Sequence, residues 1–158
     1  MENSEKIFFY EREFYPLSNF SSFMLEWKGV LYITSEHAYH TEKFNDPEII
    51  EKIKNARSAH DAFKIAKEYE DKVRPDWSNI RVAVMEEIIR AKVAQHPYVK
   101  KKLLETGDKE IVEDSWRDDF WGWGPNKDGQ NQLGKIWMKI RDSLSTSQFE
   151  IGSDSEKY

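Results

Sequence analysis

With 158 residues, 39% of them hydrophobic, the chain holds enough apolar material for one core and none for a second, so a single domain is expected. The absence of cysteine excludes disulfides, thiolate nucleophiles and cysteine-ligated zinc, and no apolar run approaches the roughly 18 residues of a membrane span. A formal net charge of −5 argues against a broad, salt-driven grip on a nucleic-acid backbone, although it leaves room for a local basic pocket.

Taken in chain order, "KIFFY" reads as a strand, and "SFMLEWKGVLYIT" alternates apolar and polar residues around a Lys28-Gly29 hairpin turn, so a small antiparallel sheet opens the fold. Thr34 or Ser35 caps a helix over "SEHAYHTEKF", which stops near Asn45. Asp46 and Pro47 start the next helix, and Ser58 with Asp61 resembles a capping box for "AHDAFKIAKEY". The longest helix is expected over 76–95, with Ile80, Val84, Ile88 and Ala91 on one face and Met85 and Ile89 widening it. His96-Pro97 ends that helix and starts another, closed by Gly107; "EIVE" reads as a short strand. The last helix runs from about Asn131 to Leu144, with Leu133, Ile136, Trp137, Ile140 and Leu144 facing inward. A tail from residue 146 to 158 lacks periodicity and is expected to be disordered. The class is α+β, predominantly helical, in one compact domain over residues 1–145, and the absence of a leader or span predicts a cytoplasmic protein.

Three stretches concentrate chemistry. In "SEHAYHTEKF" a helix would place Glu36, His40 and Lys43 on one face, so an acid, an imidazole and an amine converge; an ordinary solvated face with ion pairs explains the same spacing. A zinc site at His37 and His40 is set aside, because no other clustered His or Cys supplies the remaining ligands. In "FYPLSNFSSF", Ser18 and Asn19 offer sugar or amide contacts and Phe20 a ring wall, against the simpler reading of a turn. "DDFWGWGPNKDGQNQLG" places Asp118 and Asp119 before Trp121, lets the backbone approach closely at its glycines, and delivers peptide N–H groups at a helix start that suits phosphate. The competing reading is a surface loop pinned by a buried tryptophan.

In their order and spacing these pieces resemble the NADAR, or YbiA-like, family. The matching stretches are "LSNF" (17–20), "SEH" (35–37) followed by "KF" (43–44), "RPDW" (74–77), Met85, "RAK" (90–92), "LLETG" (103–107), "IVE" (111–113) and "DDFWGWG…DGQNQLG" (118–134). Family members often carry Gln where His40 stands, and Trp123 is a ring that relatives commonly replace. The resemblance implies a compact, mostly helical α+β domain and hydrolysis of N-glycosidic bonds to ribose. Two substrate settings follow from it: phosphoribosylamino-pyrimidine intermediates of riboflavin synthesis, and ADP-ribose on the amino group of guanine, either as a small molecule or on nucleic acid. It calls for no metal or cofactor.

Cleaving an N-riboside asks for a carboxylate near the anomeric carbon and a proton donor near the departing nitrogen. Glu36 and Asp118 match family positions and are the expected acid–base residues; Lys43 either forms a Schiff base with a ring-opened sugar or binds phosphate. Ser18, Asn19, Phe20, His40, Trp77, Arg81, Trp121, Gly122 and Asn131 are the expected substrate contacts. A non-catalytic reader of ADP-ribose or NAD is the alternative, and an aromatic loop that docks on protein is a third reading.

Overall fold

The structure is a computed structural model that describes the backbone of residues 5–9 and 12–155 and the side chains of residues 5–9 and 13–144. Its elements form the predominantly helical α+β class expected: strands β1 (Lys6–Phe8), β2 (Leu25–Trp27), β3 (Val30–Tyr32) and β4 (Glu110–Val112), and helices α1 (Ser35–Thr41), α2 (Pro47–Lys54), α3 (Ala59–Glu68), α4 (Trp77–Gln95), α5 (Pro97–Glu105) and α6 (Gln132–Ser155). Within the predicted domain the chain gathers into two compact units, residues 15–99 and residues 1–14 with 100–158.

In the first unit, β2 and β3 form the expected antiparallel hairpin, paired from Leu25–Tyr32 to Trp27–Val30. Lys28 (φ 52°) and Gly29 (φ 78°) both adopt left-handed backbone, the requirement of a tight turn whose twist matches the strands. The free edge of β2 is covered by a side chain: the Glu26 N–H donates to Gln95 Oε1 and Gln95 Nε2 donates to the Glu26 carbonyl, each at 2.7 Å. An amide at the end of α4 thus takes the place of a third strand. Helices α1, α2 and α3 pack on one another, and Phe44, Ile49, Ile53, Ala56, Ala62 and Ala66 make the core between them. The caps are those read from sequence: Thr34 accepts from the His37 N–H, Asp46 from Glu48 and Ser58 from Asp61.

In the second unit the outcome at β1 differs from the expectation. This strand does not join the antiparallel hairpin but pairs in parallel with β4, Lys6 opposite Glu110 through Phe8 opposite Val112. Parallel pairing needs a crossover rather than a tight turn, which separates the partners by about a hundred residues and hides the pairing from local sequence. Leu133, Ile136, Trp137 and Ile140 are buried along α6, as predicted. Arg141 anchors α6 to the turn before β4, its Nη1 donating to Thr106 Oγ1 at 2.9 Å and to the Lys109 carbonyl at 2.7 Å. The backbone of α6 continues as helix to Ser155, past the predicted end at Leu144; of the tail expected to be disordered, residues 156–158 and all side chains after 144 lie outside the described residues.

Candidate active site

Every residue of α1, "SEHAYHT", is buried, an unusual position for a segment with a carboxylate, two imidazoles and three hydroxyls. Buried polar groups have to find partners, and most of these do. His37 is fully satisfied: its Nδ1 lies 2.8 Å from Thr34 Oγ1 and its Nε2 3.0 Å from the Ala56 carbonyl, and burial pushes its pKa below the ordinary value. It is a structural histidine that ties α1 to the loop before α3. Glu36 and His40, one turn apart, meet at 2.6 Å between Oε2 and Nε2, with side chains 10% and 4% exposed. The acid–imidazole part of the predicted convergence is therefore present.

Lys43 lies just past the helix that carries that pair. The helix ends at Thr41 rather than near Asn45, the Lys43 N–H bonds to the His40 carbonyl at 3.2 Å in a tighter turn, and Lys43 Nζ lies over the Tyr39 ring, 5.3 Å from its centroid.

The "LSNF" turn is pinned to the start of α1, because the Glu36 N–H donates to the Asn19 carbonyl at 3.2 Å. Ser18 Oγ accepts from the Phe20 N–H at 3.1 Å and so shapes the turn, while the Phe20 ring is 39% exposed. Asn19 is buried, and its amide nitrogen faces the thioether of Met85 on α4 at 3.4 Å. Behind the turn lies a residue not expected at the site: Lys92 of α4 is fully buried, with Nζ 3.0 Å from both the Ser18 carbonyl and Ser21 Oγ. Burial pushes its pKa down to about 7. Its sequence signal is a lysine on the same helical stripe as Met85, Ile88 and Ile89.

Among the described residues, Asn19 Oδ1, Ser35 Oγ and His40 Nδ1 are buried with no hydrogen-bond partner. All three belong to the turn or to α1, within the segment that holds Glu36. Orphaned buried acceptors and donors are costly, typically about 1–3 kcal/mol each, and these three come from the turn and the helix start that it is bonded to. Trp77, by contrast, is buried with its ring 5.2 Å from that of Tyr39, so it backs α1 as core. Arg81 lies half-buried on α4.

The tryptophan loop of the second unit is organised by its own polar groups. Asp118 Oδ1 accepts from the backbone N–H groups of Phe120 (2.9 Å) and Trp121 (2.8 Å), and the Asp118 N–H donates to Ser115 Oγ. Trp121 is half-buried with its ring edge-on to Phe120 at 4.9 Å. Trp123 is a fastener, its Nε1 donating to Asp114 Oδ1 at 2.8 Å and its ring 5.2 Å from Phe8 on β1. Gly122 is required by space, since a Cβ there would lie 2.5 Å from the Glu113 carbonyl oxygen. Asn131, at φ 50°, bonds to both sides of the β4 end: Oδ1 accepts from the Glu113 N–H and Nδ2 donates to the Ile111 carbonyl, each at 2.9 Å. Gly122 and Asn131 thus serve the loop itself.

The helix start expected to receive phosphate is also occupied from within. The N–H groups of Gly129, Gln130, Asn131, Gln132 and Leu133 donate to the carbonyls of Trp123, Asp119, Gly122, Phe120 and Trp121, at 2.7–3.1 Å. The donors that a phosphate would use are spent on the preceding loop, which the residue types alone could not reveal. Among the described residues no group of three or more His, Asp and Glu is placed to hold a metal ion.

A carboxylate–imidazole pair buried on a capped helix, beside polar atoms without partners, places groups able to exchange a proton together. The chain belongs to the NADAR domain family, whose profile matches residues 8–145. It is similar to the N-glycosidase YbiA of Escherichia coli, 31% identical over 128 residues, which cover 81% of this chain and 80% of that one. An N-glycosidase of Nostoc punctiforme is 34% identical over 143 residues, 87% of this chain and 92% of that protein. A riboflavin biosynthesis protein of Vibrio vulnificus is 39% identical over 142 residues, 89% of this chain but 39% of that longer protein. The solved NMR structure of E. coli YbiA superposes with a TM-score of 0.84 at 28% identity, covering 95% of this chain and 90% of that one.

Proposed function

We propose that this chain is an N-glycosidase that hydrolyses the bond between C1′ of a ribose and a base nitrogen, with Glu36 and His40 as its acid–base pair. The observation that carries this reading is the buried 2.6 Å Glu36–His40 contact beside three unpartnered polar atoms. The relatives named as N-glycosidases, similar over most of both chains, support the same reaction class.

Departure of the base nitrogen leaves positive charge on the sugar, and a neighbouring carboxylate stabilises it. Water then attacks C1′, its proton passing to the Glu36–His40 pair, which returns one proton to the leaving nitrogen. With Nε2 donating to Glu36, a neutral His40 presents Nδ1 as a bare lone pair able to receive that proton; tautomer and role are thereby coupled through one hydrogen bond. Asn19 Oδ1 and Ser35 Oγ are the proposed contacts to ribose hydroxyls, and Phe20 the ring beside the sugar. Lys43 supplies the alternative route: its amine adds to the imine carbon of a ring-opened ribosylamine, the base amine is expelled to leave a lysine imine, and water hydrolyses that imine to free the sugar aldehyde and the amine.

The proposed substrates are ADP-ribose linked to the guanine amino group and phosphoribosylamino-pyrimidines. Incubation with each, read by mass spectrometry, tests the reading: release of ADP-ribose or ribose phosphate supports it, and intact substrate alongside measurable ADP-ribose binding replaces it with the reader. Borohydride trapping separates the routes, because a covalent adduct lost in Lys43→Ala identifies the imine.

A further inference from the structure

One face of α3 is not accounted for by the core or by the pair on α1. Ala59, Ala62 and Ala66 turn inward, and the opposite positions, spaced i, i+3, i+4, i+7, are His60, Phe63, Lys64 and Lys67, all exposed. Phe63 is 41% exposed, a large apolar ring left in water. The His60 ring lies 6.4 Å from it in a stacked arrangement, with the two planes 19° apart. The other edge of Phe63 meets the His40 ring at 5.9 Å and 72°, and His40 is the partner of Glu36.

On α3 the two lysines Lys64 and Lys67 are matched in number by Asp61 and Glu68, so what distinguishes this face is pairing rather than net charge. Among the described residues, neither Lys64 nor Lys67 forms an ion pair. A planar ring flanked by unneutralised cations is what a nucleotide needs: the base stacks on any aromatic face, and the phosphate replaces counter-ions on the lysines.

We propose that the outward face of α3 is a nucleotide-docking platform, with Phe63 and His60 stacking a base and Lys64 and Lys67 holding its phosphate. The platform rests on the N-glycosidase reading in one respect, the delivery of the docked nucleotide to the adjoining Glu36–His40 pair.

The test titrates the full chain with guanosine 5′-monophosphate, guanosine and ribose 5-phosphate, following ring proton resonances of His60 and Phe63 and the dissociation constants. Phe63→Ala is expected to weaken the nucleotide by about tenfold, Phe63→Tyr to retain it, and Lys64→Ala with Lys67→Ala to reduce the nucleotide to the affinity of guanosine. The thermal midpoint of Phe63→Ala stays near wild type, because the ring is not core. Binding of the monophosphate by both variants within about twofold of wild type, or without movement of the His60 and Phe63 resonances, overturns the platform. Cleavage is read separately: an inactive wild type that binds the nucleotide on α3 overturns the glycosidase reading and supports the platform, and an active wild type with unaffected variants does the reverse.

Discussion

At the scale of single residues, Glu36 and Asp118 illustrate how one residue type serves different ends. Glu36 sits on a buried helix, one oxygen committed to His40. Glu36→Gln preserves size and a polar partner for His40 but removes the charge, so turnover is expected to fall by about 10²–10⁴-fold with the fold intact, as measured by single-turnover cleavage and circular dichroism. Asp118 uses Oδ1 to gather two backbone N–H groups. Asp118→Asn keeps that acceptor and is expected to match wild-type stability, whereas Asp118→Ala loses it and unfolds about 1–2 kcal/mol earlier in urea titration. If Asp118→Asn also loses turnover, its charge takes part in the reaction; full activity assigns it to the loop alone. The i, i+4 spacing made the Glu36–His40 contact legible in sequence, because helical neighbours at that distance meet whatever surrounds them. Nothing local marked Asn19 Oδ1 or Ser35 Oγ as unpartnered, since satisfaction depends on what packs against them from elsewhere.

Elements were read best where their ends are set by local chemistry. The caps at Thr34, Asp46 and Ser58 and the Lys28-Gly29 turn occur where those residue types predict. The misses are non-local: the parallel pairing of β1 with β4, and the loop carbonyls that consume the donors before α6. Lys92 belongs to the same group, a cation on the apolar stripe of α4 whose partners lie more than seventy residues away. Burial lowers Lys92 from an ordinary value of 10.5 to about 7. Below about pH 7 the amine is protonated in both folded and unfolded states; between there and about pH 10 only the unfolded state keeps the proton. Stability therefore rises with pH across that window by up to ~1.4 kcal/mol per pH unit from this group. Urea titrations at several pH values are expected to show this slope in wild type and its loss in Lys92→Met, and equal slopes would contradict the burial of a titrating amine. On the second unit, Gly122→Ala forces a methyl against the Glu113 carbonyl and is expected to cost about 1–3 kcal/mol in the same measurement.

For the whole molecule, the sequence carried the family more clearly than the geometry. Short pieces from "LSNF" to "DGQNQLG" fixed the class through their order, and the family profile covers residues 8–145. Those pieces take different places on folding: "SEH" supplies Glu36 to a buried pair with His40 and His37 to the helix anchor, "LSNF" forms a turn bonded to the start of α1, and "DGQNQLG" bonds back to the tryptophan loop. The net charge of −5 does not show where single charges lie: α2 and α3 each carry two acids and two lysines, and Lys64 and Lys67 form no ion pair among the described residues. The most direct measurement is mass spectrometry of the products when wild type and Glu36→Gln are each incubated with a guanine-ADP-ribosylated oligonucleotide and with a phosphoribosylamino-pyrimidine. Release of ADP-ribose or ribose phosphate by wild type and its loss in Glu36→Gln is the predicted result. Equal release by both proteins, or none from either substrate, would contradict the assignment of N-glycosidic hydrolysis to the Glu36–His40 pair.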